Sequence, residues 1–559
     1  MHPTMACKSF PLHPPSIKES TKAHSLRSAV GAQNVSTRIS IYLDINVFMF
    51  KACVSVAKQK HKENKMMKVS RLALLGLLLT LVFSSSIMAQ DEAPAFVVPL
   101  DHAHAPFLES YNFAVAQGAT AEWRKMEGVA VDAVNNKLYI AISEVGKGMS
   151  DGEGEIQLAE NPCGAVYMAD LDADMNISAL APVVIGGPYD ESDSANPCSV
   201  DSIANPDNIF VDSAGALWIG EDTGEHANNM LWKWDGVELK RFATLPAGSE
   251  VTGLHISANG AVFMNVQHPD GVNIYPYNRG TIGIITGFAA TDDFESIDVP
   301  SGNAAHVVVV AGGDYQVLGR MGSPIPNAID AARLGQLDMA DGSMDICNNP
   351  DGNMYLPVNE EGTQGYLYTN YECQPGGMSK LYISQNGDGV WDVIEGENVD
   401  LTAVGGTWNN CFSSVTPWNT GLSSEEYPFD TIDAEWQDNY TAMTDYIGTQ
   451  ANPYDYGYPI EVMPDSIGST VVKHFAMGRF SHENSMIMPD AKTVYQSDDG
   501  TNRILWKFVA SEAADLSAGT LYAAKVTQDG DTFHVEWIEL GTGNDAEIAE
   551  TIAAMDLGQ

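Results

Sequence analysis

Short strand-like segments recur along the chain from about Glu122 onward, each with an aromatic residue at its centre and Gly, Asn or Asp at its ends. They cover residues 137–143, 165–171, 216–222, 261–267, 380–386, 493–499 and 520–526. Long amphipathic helical patterns are nearly absent. Many short strands between turn residues are typical of an all-β fold, and the loose recurrence of Gly-x-[Leu/Val]-aromatic predicts the blades of a β-propeller.

Stretches of low periodicity interrupt these segments. The longest covers residues 413–459 and is rich in Asn, Thr, Tyr and Asp. Because functional residues concentrate on loops that a rigid scaffold positions, we expect such stretches to be loop insertions on the active-site face. Residues 545–559 are expected to form a peripheral tail.

The most apolar stretch covers residues 67–90, where Lys68 and Arg71 precede an apolar run over 72–83 and small residues lie near Ala89. This pattern is typical of a secretory signal peptide, and about 12 apolar residues are too few to span a bilayer. Because the signal lies inside the chain, we interpret residues 1–66 as a non-native extension. Residues 91–559 are then one exported domain, periplasmic or secreted, without a membrane anchor.

The charge balance restricts the partners of that domain. The 559 residues include 29 Lys and Arg against 73 Asp and Glu, and residues 91–559 alone carry 17 against 70, a net charge of −53. A nucleic-acid binder needs a basic footprint, so this class is excluded. The excess acid indicates a solvated surface suited to salty surroundings, carboxylate ligands for hard cations, or both.

Export permits disulfides, and the domain contains Cys163, Cys198, Cys347, Cys373 and Cys411. Pairing Cys163 with Cys198 and Cys347 with Cys373 would close two modest loops. Cys411 would then remain as a free thiol or a metal ligand. Spacing alone leaves the connectivity open.

Two segments combine metal-binding side chains at short spacing. Residues 407–411 read Thr-Trp-Asn-Asn-Cys and precede Ser-Ser-Glu-Glu at 423–426, while residues 478–483 place Arg479 close to Glu483. A thiolate with carboxylates suits a transition metal, and amide and carboxylate oxygens suit Ca²⁺. The alternative for each acid taken singly is a turn cap or a solvated side chain.

Familiar catalytic and calcium motifs are missing from the sequence. The run from Asp170 to Asn176 begins like an EF-hand, but Met175 occupies the sixth position, where Gly is required, and Ala181 the twelfth. We therefore expect a surface turn there. The sequence also has no Gly-x-Ser-x-Gly elbow, Walker loop or His-Glu-x-x-His helix.

Taken together, these segments resemble the PhoX-type alkaline phosphatases, which are secreted bacterial phosphomonoesterases. Residues 406–411, 416–420 and 425–426 are similar to that family's GT-x-NNC, TPWGT and EE, and the runs at 478–483, 495–499, 506–509 and 519–525 follow in the family's order. Residues 125–127, 205–222 and 250–270 are similar to its R-P-E, PDG-L and EVTG segments. In the family these three follow the cysteine half, so the chain resembles a circularly permuted member, which a closed ring of blades tolerates.

The resemblance implies a six-bladed β-propeller whose centre binds two Fe³⁺ and three Ca²⁺. It implies that Cys411, Glu483 and Glu127 are iron ligands and that Glu426 binds calcium. Further calcium candidates are Glu372, Asp207 and Asp222.

The catalytic residues implied are Lys125 and Arg479, which would stabilise the phosphate and the leaving group. Lys125 stands where the family has Arg. A lysine ammonium is a point charge, whereas an arginine guanidinium binds phosphate as a bidentate fork. Residues 412–414 and Asn419 also depart from the family pattern, which affects the shape of the pocket.

The expected function is release of inorganic phosphate from small phosphate monoesters by a monomeric, exported enzyme. One alternative is a calcium-dependent propeller hydrolase of a phosphodiester or a lactone, against which Cys411 argues because such lactonases need no thiolate. Another is a non-catalytic, calcium-stabilised binding propeller, which would require calcium for folding but bind no iron.

Overall fold

The seven strand-like segments predicted from the sequence all form strands, and each belongs to an antiparallel sheet of four or more strands that is built from consecutive four-stranded blades. We describe residues 98–428, 441–465 and 468–555 from a computed structural model. The predicted extension over 1–66 and the signal peptide over 67–90 lie outside these residues. Within them, every helix is too short or too polar to cross a membrane.

Six such blades follow one another along the chain, which confirms the six-bladed β-propeller. Blade 1 consists of Met126–Asp132, Lys137–Ile142, Ala165–Asp170 and Ala179–Ile185. Blade 2 consists of Pro206–Val211, Leu217–Glu221, Met230–Trp234 and Leu239–Thr244, with Val309–Val310 added at its edge. Blade 3 consists of Glu250–Ile256, Val262–Gln267, Thr281–Thr286 and Asp314–Arg320.

The second half of the ring repeats this arrangement. Blade 4 consists of Pro350–Pro357, Gln364–Tyr371, Gly377–Gln385 and Trp391–Asn398. Blade 5 consists of Asn410–Val415, Gly421–Glu425, Ile460–Pro464 and Ser469–Lys473. Blade 6 consists of His482–Ile487, Thr493–Asp498, Trp506–Glu512 and Asp515–Asp529, extended by Thr532–Asn544.

The first strand of each blade is the innermost, and these six strands contact one another in a closed circle. The ring closes between blades 6 and 1, where Phe533 and His534 pair with Leu180 and Ala179. Short strands Trp123–Arg124 and Thr501–Arg503 also pair there. Because every blade is built from consecutive strands, the first and last blades along the chain meet at this junction.

Apolar side chains fill the space between every pair of neighbouring blades. Between blades 2 and 3, for example, Trp218 and Phe242 pack edge to face at 5.0 Å and lie in one buried cluster with Val251. Strands in the middle of a blade are covered on both faces, which is why segments such as Leu217–Glu221 are buried along their whole length.

The remaining elements connect or flank the blades. In the part of the chain that the structure describes, the helices are Ala105–Leu108, Ser110–Ala116, Thr441–Ile447 and Asp545–Ala553. Single 3-10 turns are Lys147–Met149, Gly302–His306, Ile329–Ala331, Thr402–Val404, Pro453–Asp455 and Phe475–Met477. A separate hairpin pairs Gln336–Asp338 with Met344–Ile346.

Two expectations need correction. Residues 413–459 are not one insertion, because their first part belongs to the two inner strands of blade 5, Asn410–Val415 and Gly421–Glu425, which are almost fully buried although they contain several polar residues. The expected tail at 545–559 begins with the helix Asp545–Ala553, whose Ile548 and Ile552 are buried. Asn544 caps this helix by accepting a hydrogen bond from Glu547 N.

Other expectations are confirmed. Cys163 is bonded to Cys198 and Cys347 to Cys373, and Cys411 is free and buried. The run that begins like an EF-hand is an exposed turn, in which Asp172 Oδ1 accepts hydrogen bonds from Asp174 N and Asn176 N.

His474 attaches the C-terminal helix to blade 5, because its ring lies 2.9 Å from Asp545 Oδ2 and 3.1 Å from Glu461 Oε2. Burial alone would lower the pKa of His474, but the hydrogen bonds and charges of both carboxylates raise it to about 9. A raised pKa adds stability that is complete below the unfolded pKa near 6.5 and is lost as the pH rises through 9.

We therefore expect His474→Gln to lower the free energy of unfolding by about 2–3 kcal/mol at pH 6 and by much less at pH 9.5. Urea unfolding at both pH values measures the difference. His534→Gln, which changes an exposed histidine, is the control. An equal loss at both pH values would show that the charge of His474 has no role.

Candidate metal centre

A β-bulge near the start of the innermost strand is shared by five of the six blades. The strand pairing shifts between Met126 and Val129 in blade 1, and blades 2, 4, 5 and 6 shift at the equivalent position. The second residue of the strand is therefore unpaired, and bulges re-aim such side chains. These residues are Glu127, Asp207, Asp351, Cys411 and Glu483. In blade 3 the bulge comes later, and Glu250 is the first residue of the strand.

Small residues after the bulged acids let neighbouring blades approach closely. A Cβ at Gly128 would lie 2.5 Å from Asp207 O, and a Cβ at Gly352 would lie 2.7 Å from Ser413 N. Both contacts are with backbone atoms of the next blade. Glycine is therefore required at these positions for the innermost strands to pack into a narrow ring.

The second strand of blades 2 to 6 delivers another side chain to the centre. This strand runs antiparallel to the innermost one, and the residue just past its end lies beside the start of the innermost strand. These residues are Asp222, His268, Glu372, Glu426 and Asp499. The centre is thus built from two positions in each of these five blades and one in blade 1.

These side chains form three groups, and the ligand atoms within each group lie within 4.8 Å of one another. The Glu127 group contains Glu127, Asp207 and Glu483; the Cys411 group contains Glu372, Cys411 and Glu426; the Glu250 group contains Asp222, Glu250 and His268. The Glu127 group is fully buried, whereas His268 is exposed. The cluster therefore reaches from solvent into the ring.

Direct contacts join the three groups into one cluster. Cys411 Sγ lies 3.0 Å from Glu483 Oε2, and the side chains of Asp207 and Glu250 are joined by a hydrogen bond. Asn409 Nδ2 bridges two carboxylates, 3.2 Å from Glu372 Oε1 and 3.1 Å from Glu426 Oε2.

The cluster concentrates negative charge with little protein charge to balance it. The three groups contain seven acids. With the neighbouring Asp351 and Asp499, which are also buried, nine carboxylates lie close to the thiol of Cys411. Burial, followed by the charge of neighbouring acids, raises the pKa of Glu127, Asp207 and Glu250 well above the usual value. The same causes raise the pKa of the remaining buried ligands Asp351, Cys411, Glu426 and Glu483.

Bound cations would resolve this repulsion, because a nearby metal ion stabilises the ionised forms. Among the described residues, two buried carboxylate oxygens, Asp351 Oδ1 and Asp499 Oδ1, have no hydrogen-bond partner, and neither has Gln267 Oε1. Buried polar atoms rarely remain unpaired, so these oxygens fit the role of metal ligands.

Lys125 forms an ion pair with a carboxylate of the cluster. Its Nζ lies 3.2 Å from Glu127 Oε1, and its side chain remains partly exposed. The charges of Glu127, Asp499, Asp222 and Asp207 outweigh its burial and raise its pKa, so it is protonated. Lys125 therefore offers a cation at the solvent side of the deepest group.

Three further acids lie directly before cluster residues but point into the blades. Glu425 accepts hydrogen bonds from Trp408 N, Gly457 N and Tyr458 N and forms a buried ion pair of 3.0 Å with Lys473. The other two are Glu221, which accepts from Ala204 N and Met230 N, and Asp498, which accepts from Trp506 Nε1. Each therefore fixes the loops around the adjacent cluster carboxylate.

Arg479 has different surroundings from Lys125. Its Nε donates to Tyr456 O at 3.0 Å, its Nη2 donates to Pro453 O at 3.1 Å, and its guanidinium lies over the Tyr454 ring. These contacts support a structural role for Arg479 in holding residues 453–458. Its contact with substrate remains a prediction.

All seven residues predicted to bind metal lie in the three groups. Sequence reasoning gave no metal-binding role to Glu250, His268, Asp351 or Asp499. The signal that identifies Asp351 is Pro-Asp-Gly at 350–352, which repeats Pro-Asp-Asn at 206–208 as the start of an innermost strand.

Comparison with known proteins identifies a family to which the sequence is similar. A sequence model described as Alkaline phosphatase PhoX matches residues 101–270 and 374–557. No curated protein matches the chain. The match supports the resemblance but does not test the permuted order, which remains a prediction.

Solved structures with a similar backbone share little sequence. A regucalcin from Agrobacterium tumefaciens is 11% identical, covering 76% of this chain and 93% of its own, with a TM-score of 0.35. A putative gluconolactonase is 7% identical, covering 75% and 92%, with a TM-score of 0.34. The β-propeller domain of Cps50 (Swd1) from Myceliophteria thermophila is 9% identical, covering 74% and 96%, with a TM-score of 0.34.

Asp351 provides a test of the centre, because its Oδ1 has no protein partner. We expect Asp351→Asn to remove about one metal ion per chain, since an amide is a weaker ligand than a carboxylate. Elemental analysis of protein purified without chelator measures the loss. Asp174→Asn, in an exposed turn, is the control. Unchanged metal content in Asp351→Asn would exclude Asp351 as a ligand.

Proposed function

Because the chain belongs to the PhoX alkaline phosphatase family, hydrolases that act on phosphate monoesters, we propose that it uses a mixed cluster of iron and calcium to release phosphate. The family is metal-dependent, and the proposal concerns the identity and number of the ions. It assigns two Fe³⁺ and three Ca²⁺ to the centre of the ring.

The observation that carries the proposal is the convergence of nine carboxylates, one thiol and Lys125 at the centre of the ring. A surface rich in solvated acids would not bury them together, because burial of unpaired charge is strongly unfavourable. Their convergence indicates a site for several cations at once.

The donor set fits both metals. Cys411 lies beside Glu483, which shares a group with Glu127, and this thiol with its carboxylates suits iron. Glu426, Glu372, Asp222 and Asp207 offer only oxygen, which suits calcium. When bound, such cations act as Lewis acids that stabilise the charge of a transferring phosphoryl group.

The protein's own side chains would position the substrate. Lys125 is protonated and partly exposed, so its ammonium group can bind a phosphate oxygen and orient the ester. Tyr427, the residue after Glu426, donates a hydrogen bond to Asp499 and is 42% exposed. It therefore holds Asp499 in place at the mouth of the site.

We extend the proposal to cellular location, with residues 67–90 as the export signal and the periplasm or the medium as the destination. The disulfides Cys163–Cys198 and Cys347–Cys373 support this part, because such bonds persist in oxidising compartments. We also expect a monomer without a membrane anchor.

We expect Cys411→Ala to lose bound iron and at least 100-fold of its activity on p-nitrophenyl phosphate, because the variant removes the thiol ligand. Elemental analysis and absorption in the visible range report the metal. Cys411→Ser tests whether an oxygen of similar size can replace the sulfur. Thr470→Ala, an exposed change in the same blade, is the control.

The outcomes separate the alternatives. Iron near two and calcium near three per chain, with activity lost in Cys411→Ala, would support the proposal. Calcium without iron and no hydrolysis of any monoester would contradict it and favour another propeller hydrolase or a binding propeller.

We expect Lys125→Met to lower kcat/KM by about 10- to 100-fold, the usual effect of removing a hydrogen bond to a charged group. Lys125→Arg should retain more activity than Lys125→Met, because the family has Arg at this position. Metal content is measured in parallel, and Lys137→Met, which breaks a surface ion pair, is the control. Full activity in Lys125→Met would exclude the phosphate contact.

A further inference from the structure

A second cavity lies at the opposite end of the innermost strands from the metal centre. Its volume is about 440 Å³, within the range of small-molecule sites. In blade 1 its wall includes Ala130 and Val131, three and four residues beyond Glu127. At about 3.3 Å per residue, these two residues lie roughly 10 Å or more along the strand from Glu127, whereas in blade 5 the wall begins at Phe412, directly after Cys411.

Five blades contribute to this cavity, and its lining contains no Asp, Glu, Lys or Arg. Most of the wall is apolar, formed by Phe210, Val211, Phe412, Met486 and Ile487 among others. A charged ligand would lose its hydration here without gaining a counter-charge, so the wall selects against ions.

Three polar side chains interrupt the apolar wall, and one of them, Ser414, already donates a hydrogen bond from its Oγ to Ser485 O. His255 is 7% exposed and lies between the rings of Phe210 and Phe263, at 5.3 Å and 5.9 Å, with no hydrogen bond from its ring nitrogens to the described residues. Ser413 Oγ is buried, also without a partner. Burial lowers the pKa of His255 to about 4, so its neutral ring offers one donor and one acceptor.

Water alone fills such a space poorly. An ordered buried water makes about three hydrogen bonds, and His255 and Ser413 provide too few partners for a volume that would hold many waters. A larger apolar molecule would replace those waters and use the two polar groups.

We propose that this cavity is a second binding site, for a neutral and mainly apolar organic molecule that carries one hydroxyl or carbonyl group. The apolar body contacts the ends of the innermost strands of blades 1, 2, 5 and 6. The polar group forms a hydrogen bond with the ring of His255. The site is independent of the phosphatase reaction and uses none of the cluster residues.

The test uses metal-loaded protein and two probes of the same shape, neutral 4-phenylphenol and the anion biphenyl-4-carboxylate. Isothermal titration calorimetry should show saturable binding of one 4-phenylphenol per chain and at least tenfold weaker binding of the carboxylate. His255→Phe should weaken the binding of 4-phenylphenol about five- to tenfold, which is the effect of losing one hydrogen bond.

Val211→Phe should abolish binding by filling the cavity, and Val134→Phe, at a residue that is 76% exposed and outside the lining, should leave it unchanged. A crystal structure of the unmodified protein with 4-phenylphenol locates the probe directly, so the test does not depend on whether a variant folds. No binding, equal binding of both probes, or a probe located elsewhere would overturn the proposal. Self-association that the probe disrupts would assign the face to a second copy of the chain and also overturn it.

Discussion

Repulsion between buried carboxylates is the constraint on which the rest of this structure depends. Nine acids converge where the low local dielectric strengthens every like-charge interaction, and Lys125 and His268 are the basic side chains that contact them. Without cations the acids must bind protons or separate, and either change would alter the innermost strands. The same charge density suits multivalent cations, and a site that forms only in the folded chain would couple their binding to folding.

A propeller suits this task because it repeats one local device around a circle. Each innermost strand contributes a side chain at or near its start, and in blades 2 to 6 the neighbouring strand contributes a second just past its end. Pairs such as Glu425-Glu426 divide two roles between adjacent residues. Glu425 binds backbone amides and Lys473 inside the blade, which fixes Glu426 towards the centre. Alternation of side chains along a strand accounts for this division.

The sequence predicts the strands well because their aromatic centres and flanking turn residues are local signals. Cys411 and Glu483 could be assigned from resemblance, since each lies in a run of distinctive residues. Asp351 was not assigned, because Pro-Asp-Gly is also typical of a turn. Its similarity to Pro-Asp-Asn at 206–208 becomes informative only when the strand pairing shows that both lie at a bulge. For Arg479 the sequence shows a cation next to a ligand segment, but the side chain's direction depends on residues 453–458, which are distant in sequence.

The two ends of the innermost strands also differ in polarity, and this difference bears on the metal centre. In blade 2, Asp207 lies at one end and Phe210 and Val211 at the other, and blades 1 and 6 show the same change from charged to apolar. An apolar end limits the entry of water from that side, so the carboxylates keep a low-dielectric environment in which a bound cation is held more strongly. Solvent then reaches the cluster from the side of Lys125 and Tyr427, whose side chains are partly exposed. One set of strands therefore both delivers the ligands and determines the direction from which they are reached.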